Sequence, residues 1–326
     1  MSSYIKQSPK EQLSQLFRAV EDEKGATGLA DFVMDTFETL LDAIEPKDVE
    51  DLYNQFYELF RTVKSTEPRI SLVIFNFFTI WEELQKEKSN VKTIEDFKKI
   101  VLSVARKIQV QNEEEFQAIV KAGADSVQEN DVILVHSHSC TVREALAKAV
   151  SQGKKFRTII AEQEFDKTAQ LVEFFASHDI SFSVVPEYML SHMTDEVTKV
   201  FFGATTLDSE QRFVCDAGSY AVLAEFHAEH IPNFMFLTTK KFSLWKASSK
   251  HETFKTLQQK VYESAKCNIS YERVKYSHDR VPAELFDSIV TEIGNMKPAE
   301  AKELYQKRYS EREKMRKEFF SDDGEK

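Results

Sequence analysis

The sequence predicts an α/β protein, with an N-terminal helical domain followed by a Rossmann-like domain that has a mostly parallel sheet. Apolar residues recur at helical spacing between residues 9 and 123, whereas short β-branched runs alternate with helical segments from residue 130 onward. Only 8 glycines and 7 prolines are present, too few for an all-β fold with many tight turns. Because alternating strands and helices are typical of doubly wound sheets, we expect domains at 1–127 and 128–326.

The first domain is expected to be helical throughout. Apolar residues three or four positions apart mark its helices, Pro46 ends one of them, and the charged segment 85–90 ends another. The expected helical stretches are 13–20, 29–44, 49–63, 70–84, 94–110 and 113–127.

The second domain is expected to alternate strands with helices. Its strand candidates are short and rich in β-branched or aromatic residues, as in a buried parallel sheet. They cover residues 132–136, 156–161, 180–185, 199–203 and 234–238. The expected helices cover 141–150, 167–177, 189–197, 216–227 and a charged terminal segment, 297–320.

Composition argues against several classes of protein. The chain has 43 Lys and Arg against 54 Asp and Glu, and a net charge of −11 opposes direct nucleic-acid binding, which needs a basic face. The longest apolar run, residues 70–81, is too short for a membrane helix of about 20 residues. Three widely spaced cysteines predict neither a disulfide framework nor a zinc site. The polar start is not a signal peptide, so we expect a soluble, cytoplasmic protein without a membrane partner.

The strongest candidate site follows the first strand candidate, at the segment VILVHSHSC. Ligands of open α/β sheets bind at the carboxyl ends of strands, which places Ser137, His138 and Ser139 at such a crevice. Backbone amides at the start of the next helix could hold a phosphate there. Alternatively, Ser139 or Thr141 only caps that helix. The His-x-His pattern lacks neighbouring Cys or carboxylate ligands, so we expect no metal.

Two further segments contain reactive residue types. Cys140 lies where a helix begins, a place that can lower a thiol pKa, but no base partner is identifiable and a buried structural cysteine is the more common case. Asp216, Gly218 and Ser219 form a predicted loop that enters a helix. Asp216 is either a cap of that helix or a side chain of the crevice, and spacing alone does not separate these.

Five segments, in this order along the chain, resemble a known family. Together they are similar to the alpha/beta/delta regulatory subunit family of translation initiation factor 2B, which is itself similar to ribose-1,5-bisphosphate and methylthioribose-1-phosphate isomerases. The resemblance covers about residues 128–320 and implies a helical domain followed by a Rossmann-like domain. The segments are NDVILVHSHSCTVREAL, FRTIIAEQEFDKTAQLV, KVFFGATTLDSEQRFVCDAGSYAVLAEFHAEHIPNFMFLTTKKF, RVPAELFDSIVTEIG and the charged terminal helix.

The departures from the isomerases imply a chain without catalytic residues. The isomerases' catalytic Cys and Asp are matched here by Ser137 and Thr205, and the Asn and Lys of their phosphate-binding segment by Cys215 and Asp216. The basic residue that usually follows the second strand is also absent after Glu162. Each lost group supplies orders of magnitude in rate. We expect at most a vestigial pocket for a weakly bound sugar phosphate, formed by Ser137, His138, Ser139, Asp216, Gly218 and Ser219.

The resemblance implies a non-catalytic regulatory subunit of the guanine-nucleotide exchange complex for translation initiation factor 2, with no cofactor. In length the chain is most like the alpha subunit, which implies a homodimer that contacts the other subunits and helps to sense the phosphorylated alpha subunit of initiation factor 2. The alternatives are a beta- or delta-like subunit of the same complex, a sugar-phosphate isomerase, and a metabolite-binding relative outside translation.

Overall fold

The structure is a computed structural model that describes residues 8–66, 69–245, 255–263 and 267–319. Its helices are α1 (Pro9–Asp35), α2 (Phe37–Ala43), α3 (Val49–Lys64), α4 (Ser71–Lys86), α5 (Ile94–Ser126), α6 (Cys140–Ser151), α7 (Phe165–Ser177), α8 (Ser219–Ala228) and α9 (Pro298–Phe319). Its strands are β1 (Val132–Val135), β2 (Arg157–Glu162), β3 (Phe182–Pro186), β4 (Lys199–Gly203), β5 (Thr206–Leu207), β6 (Arg212–Asp216), β7 (Asn233–Phe236), β8 (Lys255–Glu263), β9 (Asn268–Tyr276), β10 (His278–Pro282), β11 (Ser288–Thr291) and β12 (Gly294–Met296). Phe320, expected in the last helix, lies outside these ranges.

The helices of the first part begin where their sequences provide caps. Ser8 and Glu11 form a capping box at the start of α1, and Thr93 and Asp96 form another at the start of α5. α1 contains a kink at Gly25, whose φ is 70°. Between Pro9 and Ser126 the described residues contain no strand, as the sequence predicts.

Several expected helix boundaries are wrong. The first helix extends to Asp35 instead of ending near residue 20, and the helix expected at 29–44 is divided between α1 and α2 at Thr36. We expected separate helices at 94–110 and 113–127, but α5 continues through both. The intervening residues include no glycine or proline, and Gln111 donates a 3.0 Å hydrogen bond to Glu115 one turn later. Nothing therefore interrupts the backbone ladder at that point.

The main sheet has seven strands in the order β12-β11-β7-β4-β1-β2-β3. All neighbours are parallel except β11 and β12, which confirms the mostly parallel sheet. The five strand candidates of the sequence all lie in it, while β11 and β12 were not predicted. β1 lies at the centre, with Leu134 between Ile159 of β2 and Val200 of β4.

Two smaller sheets lie outside the main sheet, and two of the expected helices are wrong in extent or type. β10, β6 and β5 form an antiparallel sheet in which Asp216 pairs with His278, so Asp216 ends a strand instead of starting a helix. The expected helix at 216–227 therefore begins only at Ser219. The expected helix at 189–197 is a 3₁₀ segment, Glu187–Met193. β8 and β9 form a separate two-stranded ribbon.

Two apolar clusters of the described residues join the helical part to the sheet. The first contains Phe56 and Phe77 from the helices together with Phe202 and Phe286 from the α/β part, and the second contains Ile119 of α5 and Val290 of β11. α5 also packs against α6 and β11. Since both clusters cross the expected boundary at residue 127, each part covers apolar surface of the other. Among the described helices, none has both the length and the apolarity needed to cross a bilayer.

Candidate functional site

An open cavity lies where α1 meets the carboxyl ends of β1, β4 and β6. Its lining includes the expected residues Ser137, His138, Ser139 and Asp216. The helical part supplies a wall that sequence reasoning missed, at Glu21 to Thr27 of α1. Lys167 of α7 and Lys241, which follows β7, complete the site.

The loop between β1 and α6 is held in a fixed shape. Ser137 is buried and has a φ of 80°, a left-handed conformation that is unfavourable for serine. Ser139 accepts a 3.4 Å hydrogen bond from the amide of Val142 and so caps α6, as the alternative interpretation of the segment predicted. A Cβ atom at Gly203 would lie 2.2 Å from the Ser139 hydroxyl oxygen, so only glycine fits at the end of β4.

His138 is neutral at physiological pH. Burial and the nearby Arg143 guanidinium lower the pKa of His138 to about 4. Arg143 lies 2.7 Å from Nε2 of His138, and because a guanidinium can only donate, this nitrogen accepts. His138 therefore offers the cavity no positive charge.

Asp216 is held by a partner from another helix. Lys167 Nζ lies 2.7 Å from Asp216 Oδ1. Burial alone would raise the pKa of Asp216, but the charges of Lys167 and His278 and the hydrogen bond from Lys167 together lower the pKa below its ordinary value. Burial alone would lower the pKa of Lys167, but the charge and hydrogen bond of Asp216, together with the charges of Glu21 and Asp22, raise it. The two therefore form an ion pair at neutral pH, and Asp216 does not cap α8.

Gly218 and Ser219 lie next to the cavity but do not line it. The φ of Gly218 is 99°, and a Cβ atom there would lie 2.2 Å from a carboxylate oxygen of Glu187. The Ser219 side chain is fully buried, and its hydroxyl lies 3.2 Å from Nδ1 of His136. The structure thus gives both expected ligand residues an internal packing role.

The start of α8 already binds a carboxylate of the protein itself. Asp279, which follows His278 in β10, accepts hydrogen bonds from the amides of Gly218 and Tyr220 at 2.9 and 3.1 Å. A helix start is where an anion such as phosphate would bind. Here Asp279 takes that place, so these amides are not free to hold a ligand.

Lys241 brings an unusual amine to the cavity. It is buried, donates a 3.0 Å hydrogen bond to the carbonyl of Ala204, and has a pKa lowered by burial to about 8. Three carboxylates, Glu21, Asp22 and Asp216, share the lining with Lys167 and Lys241. Carboxylates therefore outnumber amines in the described lining, which is unfavourable for a dianionic phosphate.

The two thiols near the cavity, Cys140 and Cys215, have different surroundings. The Cys140 thiol donates to the carbonyl of Lys24 at 3.3 Å. Burial raises the pKa of the Cys215 thiol, and the neighbouring Asp216 and Asp279 raise it further. In the part of the chain that the structure describes, no group of three His, Cys, Asp or Glu side chains could hold a metal ion.

Comparison with known proteins points to one family. The sequence profile of the Initiation factor 2 subunit family matches residues 22–298. The chain is 32% identical over 129 residues to translation initiation factor eIF2B subunit delta of Schizosaccharomyces pombe. That match covers 39% of this chain, and it spans only 27% of the length of the relative.

Two further matches show the range of the similarity. A chain of the tetrameric eIF2B-beta2-delta2 complex from C. thermophilum superposes with a TM-score of 0.65 at 18% identity, covering 92% of this chain and 94% of that one. A ribose 1,5-bisphosphate isomerase of Pyrococcus furiosus is 22% identical over 296 residues, covering 88% of this chain and 90% of the enzyme. The same fold therefore occurs in translation factors and in an enzyme.

Proposed function

The chain belongs to the initiation factor 2 subunit family, and on this premise we propose that it is a non-catalytic subunit of an exchange complex of the translation initiation factor 2B type. This role is one of protein interaction in the cytoplasm. The partners we propose are the other subunits of that complex and initiation factor 2 with its phosphorylated alpha subunit.

One observation carries the proposal. Ser137, Thr205 and Asp216, which stand where the isomerases have their Cys, Asp and Lys, all line the same cavity. The cavity that corresponds to the isomerases' active site is therefore present, but the residues matched to its nucleophile, acid and phosphate-binding cation are all replaced. The Thr205 hydroxyl donates to the carbonyl of Val214 at 3.2 Å instead of moving a proton.

The same cavity supports only weak binding of a sugar phosphate. Lys167 is paired with Asp216, and Asp279 holds the amides at the start of α8. A phosphate that binds Lys167 in the cavity would have to displace Asp216, and a phosphate at the start of α8, which lies beside the cavity, would have to displace Asp279. We therefore propose that the family's ligand pocket persists here in a form that its own acidic side chains occupy.

Of the subunit types, the relatives favour a beta- or delta-like place over an alpha-like one. The curated relative described above is a delta subunit, and the matched complex contains beta and delta subunits. The expectation of an alpha-like subunit depends on chain length and on the likeness of the segment VILVHSHSCTVREAL to that type. We therefore propose that this chain pairs with another member of the family inside the complex.

Affinity purification of the tagged full-length chain from its own cells, followed by mass spectrometry, tests the proposal. We expect the other subunits of the exchange complex in stoichiometric amounts, and the subunit missing from that set identifies the place this chain takes. An isomerase assay with ribose-1,5-bisphosphate should show no turnover above an empty-vector control. Turnover at micromolar enzyme, or purification without any subunit of the complex, would contradict the proposal.

A further inference from the structure

Lys241 differs from the other buried lysines that the structure describes. Lys199, Lys240 and Lys241 are 9%, 6% and 6% exposed. The amines of Lys199 and Lys240 lie 2.6 and 2.9 Å from a carboxylate oxygen. Within the described residues Lys241 has no such ion pair, and its Nζ donates only to the carbonyl of Ala204. A buried ammonium group without a counter-charge is unfavourable, so the surroundings of Lys241 favour an uncharged amine.

The amine of Lys241 lies at the wall between two cavities. Lys241 lines the cavity described above, and together with Thr27 and Thr141 it also lines a second, smaller cavity. The second cavity is walled in part by the apolar side chains of Leu72 and Phe116. The amine is therefore buried against apolar groups on one side and borders an open, polar cavity on the other.

Burial makes this amine a better nucleophile than an ordinary lysine. It lowers the pKa of Lys241 to about 8, although the neighbouring Cys140, Glu21, Asp31 and Cys215 act in the opposite direction. At about pH 7.5, roughly a quarter of such amines are uncharged, against roughly one in a thousand for a lysine of ordinary pKa. Only the uncharged amine has the lone pair that attacks a carbonyl carbon.

The charges around the cavity disfavour an anionic partner for Lys241. Glu21, Asp22 and Asp216 line the same cavity, where they outnumber Lys167 and Lys241. A carboxylate or phosphate ligand, or the carbamate that carbon dioxide would form, adds a further negative charge to this surface. A neutral carbonyl compound adds none, and the iminium cation that it forms with the amine is stabilised by the three carboxylates.

Hydroxyl groups make up much of the remaining polar lining. The residues that supply them are Thr27, Ser137, Ser139, Thr141 and Thr205. A hydroxyl group both donates and accepts hydrogen bonds, whereas a carboxylate accepts them. A ligand that carries several hydroxyl groups of its own therefore finds partners of both kinds. Together with the uncharged amine, this lining favours a hydroxyaldehyde, a short polyol chain that ends in an aldehyde.

We propose that Lys241 is a covalent capture site for small, neutral hydroxyaldehydes, which it binds reversibly as an imine. The Nζ lone pair adds to the carbonyl carbon, and the carbonyl π electrons move to the oxygen. The oxygen then takes up the two amine protons and leaves as water, so that a C=N bond replaces the C=O bond. No oxidant or reductant takes part. The hydrogen bond from Nζ to the carbonyl of Ala204 is given up in this step.

This inference concerns the cavity and not the place of the chain in a complex. Capture on Lys241 requires neither the other subunits nor isomerase turnover. A chain that purifies without the exchange complex can still form the imine, and a chain that forms none can still be a subunit. The two proposals therefore fail separately.

Reductive trapping on the full-length chain tests the proposal. The protein is incubated with millimolar glyceraldehyde and sodium cyanoborohydride at about pH 7.5, where the reductant converts an imine to a stable secondary amine. Peptide mapping by mass spectrometry then gives the rate of labelling at each lysine. We expect Lys241 to be labelled first, at least about tenfold faster than exposed lysines, because far more of its amine is uncharged. An excess of erythritol, a polyol without a carbonyl group, should slow the labelling of Lys241 alone.

Two variants and one further aldehyde serve as controls. Lys241→Met should lose the rapid adduct, whereas Lys240→Arg, which changes the neighbouring buried lysine and keeps its charge, should retain it. Glyoxylate carries a carboxylate beside its aldehyde and should label Lys241 more slowly than glyceraldehyde does. Labelling of Lys241 no faster than that of exposed lysines, labelling that erythritol does not slow, or faster labelling by glyoxylate would overturn the proposal.

Discussion

Lys167 Nζ lies 2.7 Å from Asp216 Oδ1, so the carboxylate at the position that we match to a lysine of the isomerases is neutralised by a lysine from α7. Considered alone, Asp216 would simply repel a phosphate, and Asp216→Lys would be the way to restore affinity. The structure changes that expectation, because a lysine at this position would face Lys167 as a like charge. Releasing Lys167 from its partner is the better test.

The variant Asp216→Asn should increase affinity for sugar phosphates. It leaves Lys167 charged and without its ion-pair partner, at a cost of up to about 3–5 kcal/mol in the free energy of unfolding. Calorimetry with ribose-1,5-bisphosphate should show an affinity at least severalfold above that of the unchanged protein. Adding Lys167→Met is the control and should abolish the gain. Equal affinities of the single variant and the unchanged protein would mean that the pair is not what blocks the cavity.

The variant Asp279→Ala should open the start of α8 to anions. It frees the amides of Gly218 and Tyr220, which now donate to the Asp279 carboxylate. Loss of this capping interaction should lower the free energy of unfolding by about 1 kcal/mol. The rise in melting temperature with increasing inorganic phosphate measures binding of the anion at the new site. A phosphate effect no larger than in the unchanged chain would show that the helix start does not bind anions.

The ion pair between His278 and Glu21 should stabilise the protein most at low pH. The two side chains lie 3.5 Å apart and join β10 to α1. Burial alone would lower the pKa of His278, but the hydrogen bond and charge of Glu21 outweigh it, so the pKa is raised above the ordinary 6.5. A raised histidine pKa gives stability that is complete below about 6.5 and is lost as the pH rises through the folded value.

The variant Glu21→Gln tests this pH dependence. We expect it to lower the melting temperature more at about pH 6 than at about pH 8.5, because the stability from this ion pair is lost as the pH rises through the raised pKa of His278. Circular dichroism melts at the two pH values measure the difference. A loss of the same size at both values would mean that His278 does not change its charge in this range.

The variant Lys241→Met should stabilise the protein near neutral pH. Because burial lowers the pKa of Lys241 to about 8, keeping it charged below that pH costs up to about 3 kcal/mol. Loss of the hydrogen bond to the carbonyl of Ala204 should reduce this gain in stability by about 1 kcal/mol. Since stability of the unchanged protein rises between about pH 8 and 10.5, the advantage of methionine should vanish at about pH 10. Urea unfolding of the variant and the unchanged protein at neutral pH and at about pH 10 measures the gain and its loss. A gain that does not depend on pH would contradict the lowered pKa of Lys241.

Much of the fold is visible in local sequence, and the exceptions have a common cause. β1 and β4 are short buried runs with no competing helical pattern, so their positions could be predicted. β6 could not, because its partners are Thr206–Leu207 and the distant His278–Pro282. The ribbon was missed for a similar reason, since none of the usual two-residue hairpin turn signals marks it. Pairing between distant segments leaves no local pattern.

The site shows the same limit. Ser137, His138 and Ser139 could be placed at the cavity because they follow a strand that ends at the sheet edge. Lys167, however, meets Asp216 across 49 positions of sequence, and no spacing rule connects them. Gly218 and Ser219 were expected as ligands, but Glu187, His136 and Asp279 already contact them. A motif matched to relatives therefore predicts where the site lies, but not which side chains of this chain contact the motif residues.

The shared core also governs how the chain can be made. Ile119 of α5 belongs to the same apolar cluster as Val290 of β11, which a ribosome adds about 160 residues after α5 ends. At roughly 5–20 residues per second, that interval lasts roughly 8–30 s. Throughout it, the nascent chain carries the apolar face of α5 without the strand that covers it. Translation that stalls before Ser288 should therefore yield fragments that chaperones retain or proteases remove.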